Sequence, residues 1–304
     1  MDVRNISDYV ERMEIVLRRT IFSGWQPEVL ASDAYTIARN DQLYRRYEDA
    51  RDVIVPWVRG VHDLRDSLVV EVGCGTGCTA SAFAEYSKLV IGFDLNTKAV
   101  DAFVTRMEIL GLTNANAIAS HFSEESYLAL QVGRPKVILL IAVLEHMKFA
   151  ERIAILRASW RLLEAGGILV VGDTPNRLSP FDHHSSLLPF FHWLPNDVRE
   201  MYGRESQKLN FTAGLARSSA QGREARDLFI QRYGLGVSYH DFEIALGKTV
   251  HQKVIADAND RIIQQARGWT FEDSLIQMLF DYYRISAHRC FARRSLYLIL
   301  QKSR

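Results

Sequence analysis

The sequence is poor in cysteine, with Cys74, Cys78 and Cys290 the only three in 304 residues. A small odd number excludes a disulfide framework. Cys74 and Cys78 flank a glycine loop with no further cysteine nearby, too few ligands for a structural zinc site. Long apolar runs are also missing. The longest, Val137 to Leu144 (VILLIAVL), falls far short of the ~20 residues of a membrane helix. Net charge is almost absent: 37 Lys+Arg face 36 Asp+Glu, for a formal +1. That argues against a whole-molecule basic field for nucleic acid, while leaving a local patch open. The glycine stretch Gly73 to Gly77 does not run into a Walker-type G-K-[ST], and no internal repeat or low-complexity tract is visible. The first residues, MDVRNISDYVERMEI, carry charge at once and do not read as a secretory signal. A cytoplasmic protein without a membrane partner is expected.

What is present is ordinary globular material, 48% hydrophobic and 24% charged. At ~150 residues per domain, the length fits one large domain or two modest ones. Apolar spacing of three and four predicts a helix around Tyr9 to Leu17, and a second from about Asp41 to Val58, bent or interrupted by Pro56. Then the pattern changes. Leu68 to Val72, Val90 to Asp94, Ala115 to Ala119, Val137 to Ala142 and Ile168 to Asp173 read as strands. Between them, Thr79 to Leu89, Thr97 to Leu110 and Phe149 to Glu164 read as helices, with Gly111 stopping the second. Such alternation means βαβ units and a mostly parallel sheet covered on both faces. Past Pro175 regularity is lost. Asn196 is expected to cap a helix from Asp197, Gln221 to Arg232 and Phe271 to Tyr283 to be helical, and Val237 to Phe242 and Ser295 to Gln301 to be strands.

The central motif is Glu71-Val72-Gly73-Cys74-Gly75-Thr76-Gly77, leaving a strand and entering a helix. Glycines permit a tight turn and close approach of a ligand, and the helix N-terminus favours negative charge such as a ligand carboxylate. Asp94 follows at the end of the next strand, about 20 residues on, where a ribose-hydroxyl acceptor belongs. A nucleoside ligand is implied. The dinucleotide fingerprint needs glycine at the place Cys78 occupies, which makes a dehydrogenase the weakest interpretation.

With LVVEVGCGTG (Leu68 to Gly77), VIGFDLN (Val90 to Asn96), VILLIAVLEHM (Val137 to Met147) and RLLEAGGILVV (Arg161 to Val171) in register, the stretch Leu68 to Asn176 resembles the class I S-adenosylmethionine-dependent methyltransferases. The resemblance implies an α/β fold: a doubly wound, mostly parallel seven-stranded sheet with Ser295 to Gln301 as the antiparallel last strand. An N-terminal helical extension and a helical, aromatic insertion after the fifth strand are added to it. The expected organisation is a helical cap (1–60), a Rossmann-like cofactor-binding core (61–176), an insertion or substrate lid (177–235) and a C-terminal part completing the sheet (236–304). By resemblance, Glu71 with Gly73, Cys74, Gly75 and Gly77 holds the methionine portion of S-adenosyl-L-methionine. Asp94, followed by Leu95, takes the ribose, and Ile141 and Ala142 lie along the methionine through backbone groups. The family's acidic residue near the adenine amino group is missing, which leaves Ser120, His121 or backbone amides to hold adenine. The Asn-Pro-Pro-aromatic motif of amide and base N-methyltransferases is absent, since Glu145-His146 stands there.

Chemistry beyond the cofactor concentrates in histidines: His121, His146, His183, His184 and His192. An imidazole with a pKa near 6.5 suits deprotonation of a hydroxyl. His146, His183 and His184 are the catalytic candidates. Asp182-His183-His184 offers three donors, but adjacent side chains diverge in extended chain, and no metal ligand is assigned. Leu187 to Pro195 reads as a satellite core or an aromatic substrate wall. Arg284, Arg289, Arg293, Arg294, Lys302 and Arg304 read as a solvated face. Tyr44 and Tyr47 sit where a helical lid would close. The expected activity is methyl transfer to a small molecule, most readily at oxygen with a histidine base. An RNA or protein methyltransferase, and a cofactor-binding interaction protein without catalysis, are the alternatives. The oligomeric state stays open, a homodimer among its options.

Overall fold

The computed structural model describes residues 3–233 and 235–303. Arg304, counted above in the basic run, lies outside them. Seven strands form one sheet: β1 (Leu68–Val72), β2 (Leu89–Asp94), β3 (Ala115–Ala119), β4 (Val137–Ile141), β5 (Ile168–Pro175), β6 (Val254–Asp257) and β7 (Ser295–Gln301), in the order β3-β2-β1-β4-β5-β7-β6. The pairs β1–β2, β2–β3 and β1–β4 are parallel, with Val69 level with Val90 and Val137. β7 pairs antiparallel with β6 across a bulge at Val254/Ala256. β1 is buried at all five positions, as a strand covered on both faces must be.

The chain divides into two compact units. One runs to Leu139 and includes Leu162–Ile168; the other comprises Leu140–Arg161 and Leu169–Ser303. In the first, the helix Thr97–Leu110 is bounded as its chemistry requires. The Asn96 carboxamide accepts from the Lys98 amide, and Gly111 ends the helix at φ 67°. Ala102 of that helix joins a cluster with Tyr9, Met13, Leu17, Phe22, Tyr35 and Leu43 of the N-terminal helices. Pro56 does not end the helical run. It is the second residue of the helix Val55–Arg59, which follows a wide π-type turn, Ala50–Ile54, the second after Asp41–Arg45.

In the second unit three expectations fail. Val237 to Phe242 is not a strand. Val237 makes one isolated bridge to Asn176, and Ser238 with Asp241 forms a capping box that starts the helix Tyr239–Leu246. Asn196 does not cap the helix Asn196–Tyr202 but begins it; Pro195 precedes it, and the Asn196 carboxamide accepts from Arg199 at 2.8 Å. Arg293 is buried rather than solvated, its guanidinium 4.3 Å from the Trp269 ring. The segment Leu187 to Pro195 is split: Leu188 and Phe191 pack with Phe211, Leu215, Ile230 and Leu235 in a satellite core, while Phe190 and Trp193 are exposed. Among the described residues no helix is long and apolar enough to cross a membrane.

Candidate functional site

In the first unit, β1 delivers the chain into the turn Gly73–Gly77. Gly73, Gly75 and Gly77 adopt φ of 73°, 51° and 81°, a region that side chains disfavour. The three glycines differ in surroundings. A Cβ on Gly77 would meet Phe103 at 2.6 Å, whereas nothing lies within 4 Å of the corresponding point on Gly75. Gly77 is therefore required by packing, and Gly75 leaves space. The loop is tied from both sides. The Gly75 amide donates to Asp94 Oδ2 at 2.9 Å, and the Asn96 amide donates to Asp94 Oδ1 at 2.8 Å. An ionised carboxylate has about four acceptor positions, so Asp94 retains capacity for further donors.

Glu71, at the fourth position of β1, is 3% exposed, and its Oε2 has no hydrogen-bond partner. Burial pushes its carboxyl up to about 8; Thr79 and the Ala80 amide oppose the shift and the Asp94 carboxylate adds to it. A buried acid with one orphaned oxygen is a standing cost unless a ligand donor meets it. An open glycine turn, an acceptor at the tip of β2 and a buried carboxylate together fit a ligand carrying hydroxyls and an ammonium group. Cys74 lies in the turn with its thiol pushed well above the usual range by burial and by the Glu71 and Asp94 carboxylates. Cys74, Cys78 and Cys290 are all free and buried.

A clamp behind the turn escaped sequence reasoning. Arg106, wholly buried in the helix Thr97–Leu110, donates from Nε to the Thr76 carbonyl at 2.7 Å and from Nη2 to the Gln42 carbonyl at 2.7 Å. It also bonds the Tyr9 hydroxyl, which donates to the Leu43 carbonyl at 3.0 Å. The Thr76 hydroxyl donates to Gln42 Oε1 at 2.7 Å. The signal was available: Arg106 stands on the buried face with Ala99, Ala102 and Phe103, where arginine does not belong by hydropathy. Of the lid candidates, Tyr47 bonds Glu85 and Tyr44 packs on the N-terminal cluster. Leu95 and His121 are exposed, and the Ser120 hydroxyl donates to the His121 carbonyl at 3.3 Å.

In the second unit, Ile141 ends β4 and is half-buried. Ala142 takes φ 49°, and its amide donates to the Gly172 carbonyl at 2.9 Å. This sparsely populated backbone leads into a tight turn, Leu144–His146. Arg152, fully buried, fixes the turn through the Glu145 carbonyl at 3.2 Å and the Met147 carbonyl at 3.1 Å. Glu145 is buried, with Oε1 3.7 Å from His146 Nε2. His146 Nδ1 lies 3.2 Å from the Arg232 carbonyl, and its ring centroid 5.3 Å from that of His184.

The three histidine candidates thus separate. His146 and His184 come together. His183 points instead to Glu272, Nε2 to Oε2 2.6 Å. Burial, the neighbouring His146 and Lys208 push the His184 imidazole down to about 4, so it is neutral near pH 7. Asp182 is a bracing group. It accepts the amides of His184, Ser185 and Ser186 at 3.1, 2.8 and 2.7 Å, and faces His192 Nε2 at 3.2 Å. Burial alone would raise its carboxyl, but His192 and these amides hold it well below the carboxylate range.

Comparison with known proteins bears on residues 69–167, which match a family described as a methyltransferase domain. A ubiquinone biosynthesis O-methyltransferase of Cupriavidus pinatubonensis is 27% identical over 139 residues, 45% of this chain and 53% of that protein. A probable S-adenosylmethionine-dependent methyltransferase of Mycolicibacterium smegmatis is 26% identical over 178 residues, 59% of this chain and 61% of that protein. The chain thus spans between half and two thirds of these relatives. The solved magnesium protoporphyrin IX methyltransferase of Synechocystis has 23% identity and a TM-score of 0.36 over 45% of this chain and 60% of that one.

Proposed function

We propose that the chain, whose residues 69–167 match a methyltransferase domain, is a class I S-adenosylmethionine-dependent methyltransferase that methylates an oxygen atom of a small molecule. The observation that carries the proposal is the Gly73–Gly77 turn: open at Gly75, bonded to Asp94, and followed back along β1 by a buried carboxylate with one oxygen unpartnered. When bound, S-adenosylmethionine supplies a methyl group activated by a sulfonium. Glu71 receives the ammonium of its methionine portion, Asp94 the ribose hydroxyls, and the turn accommodates its backbone-like atoms without Cβ contact. Positioning supplies most of the acceleration for such an in-line displacement.

A hydroxyl acceptor must also lose a proton. We assign that task to the paired imidazoles of His146 and His184 rather than to His183, which is engaged with Glu272. Transfer to oxygen agrees with the names of several relatives, among them the ubiquinone biosynthesis O-methyltransferase of Thiobacillus denitrificans, 29% identical over 145 residues. The experiment is turnover of S-adenosylmethionine with a panel of small hydroxylated acceptors, read by mass spectrometry for one added methyl group. His146→Ala and His184→Ala are expected to lower turnover while calorimetric affinity for S-adenosylhomocysteine persists. Absence of cofactor binding, or methyl incorporation into RNA or protein in place of the panel, overturns the proposal.

A further inference from the structure

Glu145, His146 and His184 each offer a ligand atom, and these atoms all lie within 4.8 Å of one another. The set is specific in three respects. It mixes a buried carboxylate with two imidazoles, the donor combination that suits borderline divalent ions such as zinc, iron or cobalt. Its imidazoles are in the right form. The Arg232 carbonyl can only accept, so Nδ1 of His146 donates to it, and in the neutral ring Nε2, the atom facing Glu145 at 3.7 Å, is the one that offers a lone pair. His184 Nδ1 is likewise satisfied, by the Ser185 hydroxyl at 3.1 Å, which leaves Nε2 as its ligand atom. Finally, the backbones are held by groups that do not belong to the set: Arg152 fixes the Glu145 and Met147 carbonyls, and Asp182 fixes the amides of His184 to Ser186.

We propose that Glu145, His146 and His184 bind a divalent transition-metal ion. Ligands about 2.1 Å from one ion lie roughly 3.4 Å from each other in a tetrahedral arrangement. Glu145 and His146 are close to that spacing, and rotation of side chains closes the remainder. Three protein ligands leave coordination positions open, as in catalytic rather than structural sites. An oxygen of the acceptor can take such a position; with the ion bound, coordination would lower the pKa of that hydroxyl so that its proton passes to water, and His146 and His184 would serve as ligands in place of the base role assigned to them above. This last step rests on the methyltransferase proposal; the metal site itself does not.

The test uses the untagged full chain, stripped with a chelator and titrated with Co²⁺ while the visible absorption bands of the bound ion are followed. One equivalent is expected to bind. Glu145→Gln and His184→Ala are each expected to weaken binding at least tenfold, and His251→Ala, which removes an imidazole paired with Glu243 elsewhere, to leave it unchanged. Should Glu145→Gln fail to fold, His184→Asn on the half-buried imidazole provides the same comparison. A wild-type chain that takes up no Co²⁺ at excess, or variants that bind as wild type does, overturns the proposal. Calorimetry with S-adenosylhomocysteine on the same samples separates this failure from failure of the cofactor site.

Discussion

Asp94 and Glu71 both carry carboxylates, but their surroundings assign them different behaviour. Asp94 is half-exposed and already bonded to two amides. Its replacement by Ala removes hydrogen-bond acceptors for the cofactor, so affinity for S-adenosylhomocysteine is expected to drop by about 1–3 kcal/mol in calorimetry. Undiminished affinity would remove Asp94 from the binding site. Glu71, raised to about 8 by burial, is protonated in a large part of the molecules at pH 7. An arriving ammonium group favours the ionised form and expels that proton. Calorimetric binding enthalpies at pH 7 should therefore vary with the ionisation enthalpy of the buffer, and the dependence should vanish in Glu71→Gln. Equal enthalpies in all buffers for the wild type would contradict this linkage. The sequence singled out Asp94 by its spacing to the glycines and Glu71 only through the family resemblance. The unpartnered oxygen of Glu71 was not legible there, because burial is a property of the fold.

The strands β1, β2, β4 and β5 were readable from runs rich in Val and Ile, β3 and β7 from their place in the strand–helix alternation and the family resemblance, and the helix Thr97–Leu110 from apolar spacing closed by Gly111. What misled was the segment from Val237 to Phe242. Alternation of apolar and polar residues there mimics a strand, but Ser238 and Asp241 satisfy each other's backbone in a capping box, and local hydrogen bonding decided for helix. β6 was missed because four residues, one of them displaced by a bulge, carry too little pattern. Arg106 was overlooked for the opposite reason: it lies within a well-recognised helix, and only its partners disclose what it does. Arg106→Met keeps the volume and removes the donors to the Thr76 and Gln42 carbonyls. It is expected to destabilise the chain by about 3 kcal/mol in denaturant unfolding and to weaken cofactor binding through a loosened turn. A change below about 0.5 kcal/mol would show that the clamp carries no stability.

Stability against pH integrates these groups over the entire chain. The raised Glu71 means the folded state holds a proton between pH 4.5 and about 8 that the unfolded chain has released. Its contribution is complete below 4.5 and is lost as pH rises through 8. His184, lowered from 6.5 to about 4, acts in the other direction: its contribution is present above 6.5 and is lost as pH falls through 4. Between 4.5 and 6.5 the two oppose each other, and above 6.5 only the loss from Glu71 continues. The melting temperature is expected to fall by several degrees from pH 6.5 to 8, and Glu71→Gln to flatten that slope. A wild-type slope retained in the variant would assign the loss to other groups. The seven-stranded, mostly parallel sheet with its antiparallel last strand followed from the resemblance of four motifs in register. The grouping of His146 with His184, and the diversion of His183 to Glu272, required three dimensions: neighbours in sequence point apart, and the turn braced by Asp182 determines which imidazole faces which partner.

The three sequestered thiols have a practical corollary. Maleimides and iodoacetamide should leave the native chain unmodified, so no cysteine-free background has to be prepared before spectroscopy. One cysteine introduced at exposed Met201 would then be the sole attachment point for a fluorophore or spin label, turning the chain into its own reporter of ligand arrival.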